Sequence, residues 1–188
     1  VYSPDDRWIV YAHGDEGGTT LMEVRRDSAV QPKSILPHQG FDNTSPVFSP
    51  NGERIAFVSA RPKTPQIYSV NVNGTDERLE TPLPPVGRSY RASPDWSPDG
   101  RTIAFEQQNG DFQLWLLTLA DHHMHRVTAA GDNEDPSWAP DSRHLAFTAV
   151  HHGDKDIWTL DTVTGRFRQV THNGDARLAA WSPPRIKN

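Results

Sequence analysis

The sequence predicts an all-β protein built from repeated four-stranded sheets, and three observations carry the prediction. A hairpin anchored on a Ser-Pro pair recurs along the 188 residues. Each copy of the hairpin is followed by two further short β-rich segments. No stretch sustains the i, i+3, i+4 apolar spacing that an amphipathic helix needs.

The hairpin reads most clearly in "SPDWSPDGRTIAF", residues 93–105. Its relatives are "VYSPDDRWIVYA", "PVFSPNGERIAFVS", "PSWAPDSRHLAFTA" and the terminal "AAWSPPRIKN". Their anchor prolines, Pro4, Pro50, Pro98, Pro140 and Pro183, stand 42 to 48 residues apart. In "WSPDGRTIAF" the proline presets φ for a turn, and Asp-Gly, or Asn-Gly in the second copy, supplies the positive φ of the reversal. A second strand is expected five residues past the proline, at Ile9, Ile55, Ile103 and Leu145. "RTIAF" alternates polar and apolar residues, as a half-buried strand does. Third strands follow from Leu21, Ile67, Leu114 and Ile157, and fourth strands from Lys33, Glu77, His125 and Arg168. The aromatic residue before each anchor (Tyr2, Phe48, Trp96, Trp138, Trp181) and the one in the second strand (Tyr11, Phe57, Phe105, Phe147) recur in register. They are expected to pack between adjacent sheets.

A four-stranded sheet of about 43 residues cannot bury both faces alone, and stacking such sheets radially buries them against their neighbours. The predicted architecture is therefore a β-propeller of about four repeats, forming one domain over 1–188. The repeats fall approximately at 1–40, 41–88, 89–131 and 132–174, with 175–188 a C-terminal ring-closing strand. There are five anchors but four complete sets of second to fourth strands. Three arrangements account for this: a fragment of a larger propeller, a closed four-bladed ring, or a ring completed by self-association.

Composition narrows the function classes. With 19 basic and 24 acidic residues the net charge is -5, which argues against a nucleic-acid surface. No apolar run is long enough to span a bilayer as a helix. No cysteine is present, so disulfide and thiolate chemistry are excluded. The sequence contains no G-x-S-x-G elbow and no P-loop or dinucleotide fingerprint. Two histidine clusters, "DHHMHR" with His122, His123 and His125 and "VHHGDKD" with His151 and His152, are expected on opposite rims of neighbouring blades. They read as exposed turn histidines, because zinc needs three or four converging ligands. No cofactor and no metal is expected.

The candidate contact residues precede the innermost strands: Asp42 and Asn43 in "FDNTSPVF", Tyr90 and Arg91 in "GRSYRASPDW", Asn133, Glu134 and Asp135 in "GDNEDPSW", and Asp175 and Arg177 in "GDARLAAW". In a propeller such loops crowd one mouth of the central channel, where several blades offer side chains to one partner. The competing reading is ordinary solvated loop residues. The proline-rich departure "ETPLPPVGRSYRAS", residues 80–93, adds Arg88 on a loop of limited freedom.

"SPNGERIAF", "SPDGRTIAF" and "DIWTLDTVTGRFRQVT" resemble the PD40 (WD40-like) repeat of TolB-type propellers, and the resemblance runs over essentially the whole chain. It implies a non-enzymatic, protein-binding scaffold of the bacterial envelope, periplasmic or extracellular. It also implies contacts with a peptidoglycan-associated lipoprotein and the Tol complex and a part in outer-membrane integrity, with no nucleic-acid partner and no direct membrane insertion. The alternatives are the propeller of a prolyl-oligopeptidase- or tricorn-like peptidase and the sensory propeller of a membrane-anchored regulator. A polysaccharide lyase is remote, since it needs a clustered His/Gln metal site.

Overall fold

A computed structural model of the chain describes residues 1–27, 29–36, 41–83 and 89–182. The first sheet holds β1 (Trp8–Asp15), β2 (Gly18–Arg25) and β3 (Lys33–Ser34). The second holds β4 (Asn43–Phe48), β5 (Arg54–Ser59), β6 (Gln66–Asn71) and β7 (Arg78–Leu79). The third holds β8 (Tyr90–Trp96), β9 (Thr102–Asn109), β10 (Asp111–Thr118) and β11 (His123–Arg126). The fourth holds β12 (Asp132–Trp138), β13 (His144–His151), β14 (Asp154–Asp161) and β15 (Arg166–Gln169). All pairings within the sheets are antiparallel between sequence neighbours, giving one three-stranded and three four-stranded meanders.

The Ser-Pro hairpin has a mechanism in its side chains. Ser97 Oγ accepts the N–H of Thr102 at 2.9 Å and donates to Asp99 Oδ1 at 2.7 Å. Ser49 repeats this with Arg54 and Asn51, and Ser3 with Trp8 and Asp5. Gly52 and Gly100 hold the positive φ expected of them, at 73° and 76°. Asp6 and Ser142 take the same place in the first and fourth copies, at 59° and 56°. Where Ala139 replaces the serine, Asp141 Oδ1 accepts the N–H groups of Arg143 and His144 directly. The second strands begin one residue earlier than expected, and the third strands start before Leu21, Leu114 and Ile157. Tight hairpins cause the latter: Asp15 pairs with Gly18, Asn109 with Asp111 and His151 with Asp154, so the ladder runs to the turn.

The core lies between blades. Strand alternation sends Ile55 and Phe57 toward the first sheet, where Val10 and Leu21 meet them. The same alternation sends Ala56 and Val58 toward Ile103 and Phe105 of the third. Leu114 and Leu116 then meet Leu145 and Phe147 of the fourth. Phe57, Phe105 and Phe147 are the same residue of the repeat in successive blades, each 0 to 1% exposed. Burial of each stabilises the stack by about 2–3 kcal/mol. The anchor aromatics are less uniform. Phe48 and Trp138 are buried, whereas Tyr2 and Trp181 at the two ends of the arc are exposed.

No strand of the first sheet contacts a strand of the fourth. Residues 175–182 make one isolated parallel bridge, Asp175 with Lys155, and no ladder; the rest of the expected ring-closing segment, 183–188, lies outside the described residues. Residues 175–182 lie along the fourth sheet, with the Leu178 N–H on Thr148 Oγ1 and the Trp181 indole N–H on the Ser137 carbonyl.

Candidate functional site

The residues expected in loops before the innermost strands lie mostly inside those strands. Asn43 and Tyr90 open β4 and β8, and Asn133, Glu134 and Asp135 belong to β12. The reason is a bulge repeated in the second, third and fourth blades. Pairing shifts between Thr44 and Val47, between Ala92 and Asp95, and between Glu134 and Ser137. The residue at each shift, Ser45, Ser93 or Asp135, has φ near +50° and is followed by proline. Leu178 takes the same conformation in the terminal segment. A bulge kinks its strand and re-aims its side chains. These four kinks face one another across a channel cavity of about 270 Å³, lined by Ser45, Ser93, Asp135 and Leu178 with the intervening prolines.

The candidate residues divide by burial. Asn43 is fully buried and donates from Nδ2 to the carbonyls of Thr19 and Phe41, tying the second blade to the first. Arg91, 4% exposed, donates to Gln107 at 2.7 Å, Gln66 at 2.6 Å and the Pro82 carbonyl at 2.7 Å. Burial pulls its pKa down to about 10, which still leaves it charged at neutral pH. Asn133 is buried and donates to the carbonyls of Ala130 and Gly131. Contrary to the expectation of a solvent-facing contact, these three side chains are consumed in the blade junctions. Their partners are carbonyl and carboxamide oxygens at the approaches to the inner strands, which need hydrogen bonds once buried.

The remainder face solvent in whole or part. Asp42 is exposed, and its carbonyl accepts the Ala60 N–H. Tyr90, 40% exposed, sits edge-on to Phe112. Glu134 holds Lys155 Nζ at 3.0 Å. Asp135 is half-buried, and burial followed by the neighbouring Glu134 raises its pKa. Asp175 and Arg177 are exposed and 3.9 Å apart. Arg88 lies outside the described residues. The structure thus brings Glu134 and Asp175 together at Lys155, whose ammonium meets Glu134 and whose backbone brackets Gly174 to Ala176, with Asp135 on the channel cavity and Arg177 beside Asp175.

Sequence reasoning missed two carboxylates behind this surface. Asp95 Oδ2 accepts the Trp138 N–H at 2.6 Å, and Glu106 Oε2 accepts the Asp135 N–H at 2.9 Å. Burial drives the Asp95 pKa up to about 6, against the opposing pull of N–H bonds from Trp138 and Trp96. Burial also raises Glu106. The signal was present: Glu106 stands where the other repeats have Ala12, Val58 and Thr148, a charged residue in an uncharged register. The histidine clusters stay apart. His123 stacks on His125, and His151 meets Trp158 edge-on. Among the described residues no three His, Cys, Asp or Glu side chains converge on one point.

Radially stacked antiparallel meanders, joined by bulged inner strands around one channel, define a β-propeller. The TolB beta propeller domain model (PD40) matches residues 1–185, and the chain belongs to that family. The protein TolB homolog of Chlorobium chlorochromatii is 35% identical over 106 residues, covering 56% of this chain and 23% of that protein. Dipeptidyl-peptidase 5 of Aspergillus fumigatus is 27% identical over a longer region, covering 74% of this chain and 22% of that protein. The crystal structure of TolB from Acinetobacter baumannii superposes with a TM-score of 0.83 at 21% identity, over 97% of this chain and 45% of that one. The chain therefore spans about a quarter of the curated relatives it matches and under half of the solved TolB.

Proposed function

We propose that the chain is a non-enzymatic, protein-binding propeller of the cell envelope, working in the periplasm in a Tol-Pal type system that maintains the outer membrane. One observation carries the reading. Asp135 lines the channel cavity, its neighbour Glu134 holds Lys155, and Asp175 and Arg177 of the following segment add both signs of charge next to Lys155. A mixed-charge rim around a small cavity suits an extended protein segment whose own charges alternate. The partner class is a peptidoglycan-associated lipoprotein, supported by the relatives named for the Tol-Pal system.

The test is calorimetric titration of this chain with the soluble part of the lipoprotein from the same organism. Glu134→Gln, Asp135→Asn and Arg177→Gln together should weaken binding about tenfold or more. Asparagine is chosen at 135 because it tolerates the φ of 54° there. Unchanged affinity in the triple variant would remove this mouth as the contact, and no binding by the unmodified chain would remove the partner.

A second reading is favoured by the peptidase relative, which matches more of the chain than the TolB homolog does. Under it the blades screen peptides for a hydrolase domain. Hydrolysis of a chromogenic dipeptide substrate by the full-length protein, blocked by a serine-directed inhibitor, would replace the first reading with this one.

A further inference from the structure

The internal repeat supplies its own control for each position. The residue that opens the second strand is Trp8, Arg54, Thr102 and His144 in successive blades. Three of the four are polar, and the first alone is an indole. Trp8 lines a cleft of about 510 Å³ where the first blade meets the second, on the side of the Ser-Pro turns. Phe48 and Val72 continue its apolar wall. The corresponding cleft between the second and third blades, about 470 Å³, has Arg54 in that register. Arg54 is committed there to Ser69, Asn71 and Asp76.

The opposite edge of the first cleft is polar and incompletely used. Lys33 Nζ meets Glu23 Oε1 at 2.7 Å, which leaves further ammonium protons free to donate. Glu23 is 8% exposed, and its second oxygen accepts no hydrogen bond from the described residues. Asn73 Oδ1 accepts from the Thr75 N–H and hydroxyl, while its Nδ2 donates to no described residue. Asp5 spends Oδ1 on Ser3 and Arg7, with Oδ2 3.8 Å from the Arg7 guanidinium. The cleft thus offers unused donors on Lys33 and Asn73 and unused acceptors on Glu23 and Asp5 together with the Trp8 indole.

We propose that this cleft binds a neutral saccharide of one or two rings. A pyranose ring has a C–H face that lies against an indole, and a rim of hydroxyls that both donate and accept. That rim matches Lys33 and Asn73 as donors and Glu23 and Asp5 as acceptors. A carboxylated or amino sugar matches less well, because either charge opposes one member of the Glu23–Lys33 pair. The volume lies within the range of about 300–1,000 Å³ typical of small-molecule sites. The proposal is independent of the protein-binding reading, since the cleft and the channel mouth share no lining residue.

The experiment is saturation-transfer NMR on this chain with glucose, N-acetylglucosamine, maltose and cellobiose, beside glucosamine and glucuronate as charged controls. At least one neutral sugar should receive saturation on its ring C–H protons, with a dissociation constant of about 1 mM. Trp8→Thr installs the residue that the third blade carries in this register, and it should weaken that binding about tenfold. Asn73→Ala should weaken it severalfold with an unchanged melting temperature. The proposal is overturned if no neutral sugar binds, if a charged control binds more tightly than every neutral one, or if a folded Trp8→Thr variant binds as the unmodified chain does.

Discussion

Two ionisable side chains of one inner strand, the half-buried Asp95 and the buried Arg91, govern it at the scale of single residues. Asp95 has a folded-state pKa of about 6, above its ordinary 3.8. The folded state therefore holds the proton more tightly than the unfolded chain does. Stability should rise as pH falls from about 7 to 4, and the cost of the buried charge is fully present above pH 6. That cost is about 2–3 kcal/mol at most. Asp95→Asn keeps an acceptor for the Trp138 N–H without the charge. It should raise the melting temperature at pH 7.5 by several degrees and flatten the profile between pH 7 and 4, read by circular dichroism melts. Arg91 is the opposite case. Truncation to alanine strands Gln66, Gln107 and the Pro82 carbonyl. The expected loss is about 3 kcal/mol, measured by urea unfolding.

The element scale is that of the turn and the bulge. Ser97 closes its hairpin with two hydrogen bonds, so Ser97→Ala should cost about 1 kcal/mol in the same unfolding experiment. The fold itself should survive, because Ala139 already serves in the fourth copy. This motif was legible in the sequence because its logic is local: proline, carboxamide or carboxylate, and glycine act within five residues. The bulges were equally periodic in "TSPVF", "ASPDW" and "EDPSW", yet they read as loops. A Ser-Pro pair looks the same whether it ends a strand or kinks one. Only the partner strand, β5, β9 or β13, tells the two apart. For the same reason Asn43, Arg91 and Asn133 were legible as unusual polar residues while their burial was not. It depends on the preceding blade, some 20 residues away in sequence.

For the whole molecule, the three cores lie between sheets and none lies within one. The second and third sheets are covered on both faces by neighbours, and the first and fourth on one. Hydrogen–deuterium exchange should therefore be slowest in β5, β6, β9 and β10 and faster in β1 and β15. Equal protection across all four sheets would mean that the end faces are covered in solution. Phe57→Ala empties the first junction. It should cost about 3–5 kcal/mol and accelerate exchange in β1 and β2 more than in β13 and β14.

The sequence by itself determined the repeat, its four-strand period, the turn chemistry and the register of Phe57, Phe105 and Phe147. Each of these is set by neighbours along the chain or by strict alternation within a strand. Only the tertiary structure decided which polar residues are spent at the junctions, that three bulges and Leu178 share one cavity, and that Trp8 lines a cleft. Those outcomes depend on the rotation between one sheet and the next. That rotation comes from side chains of two blades packing against each other, so no single repeat encodes it.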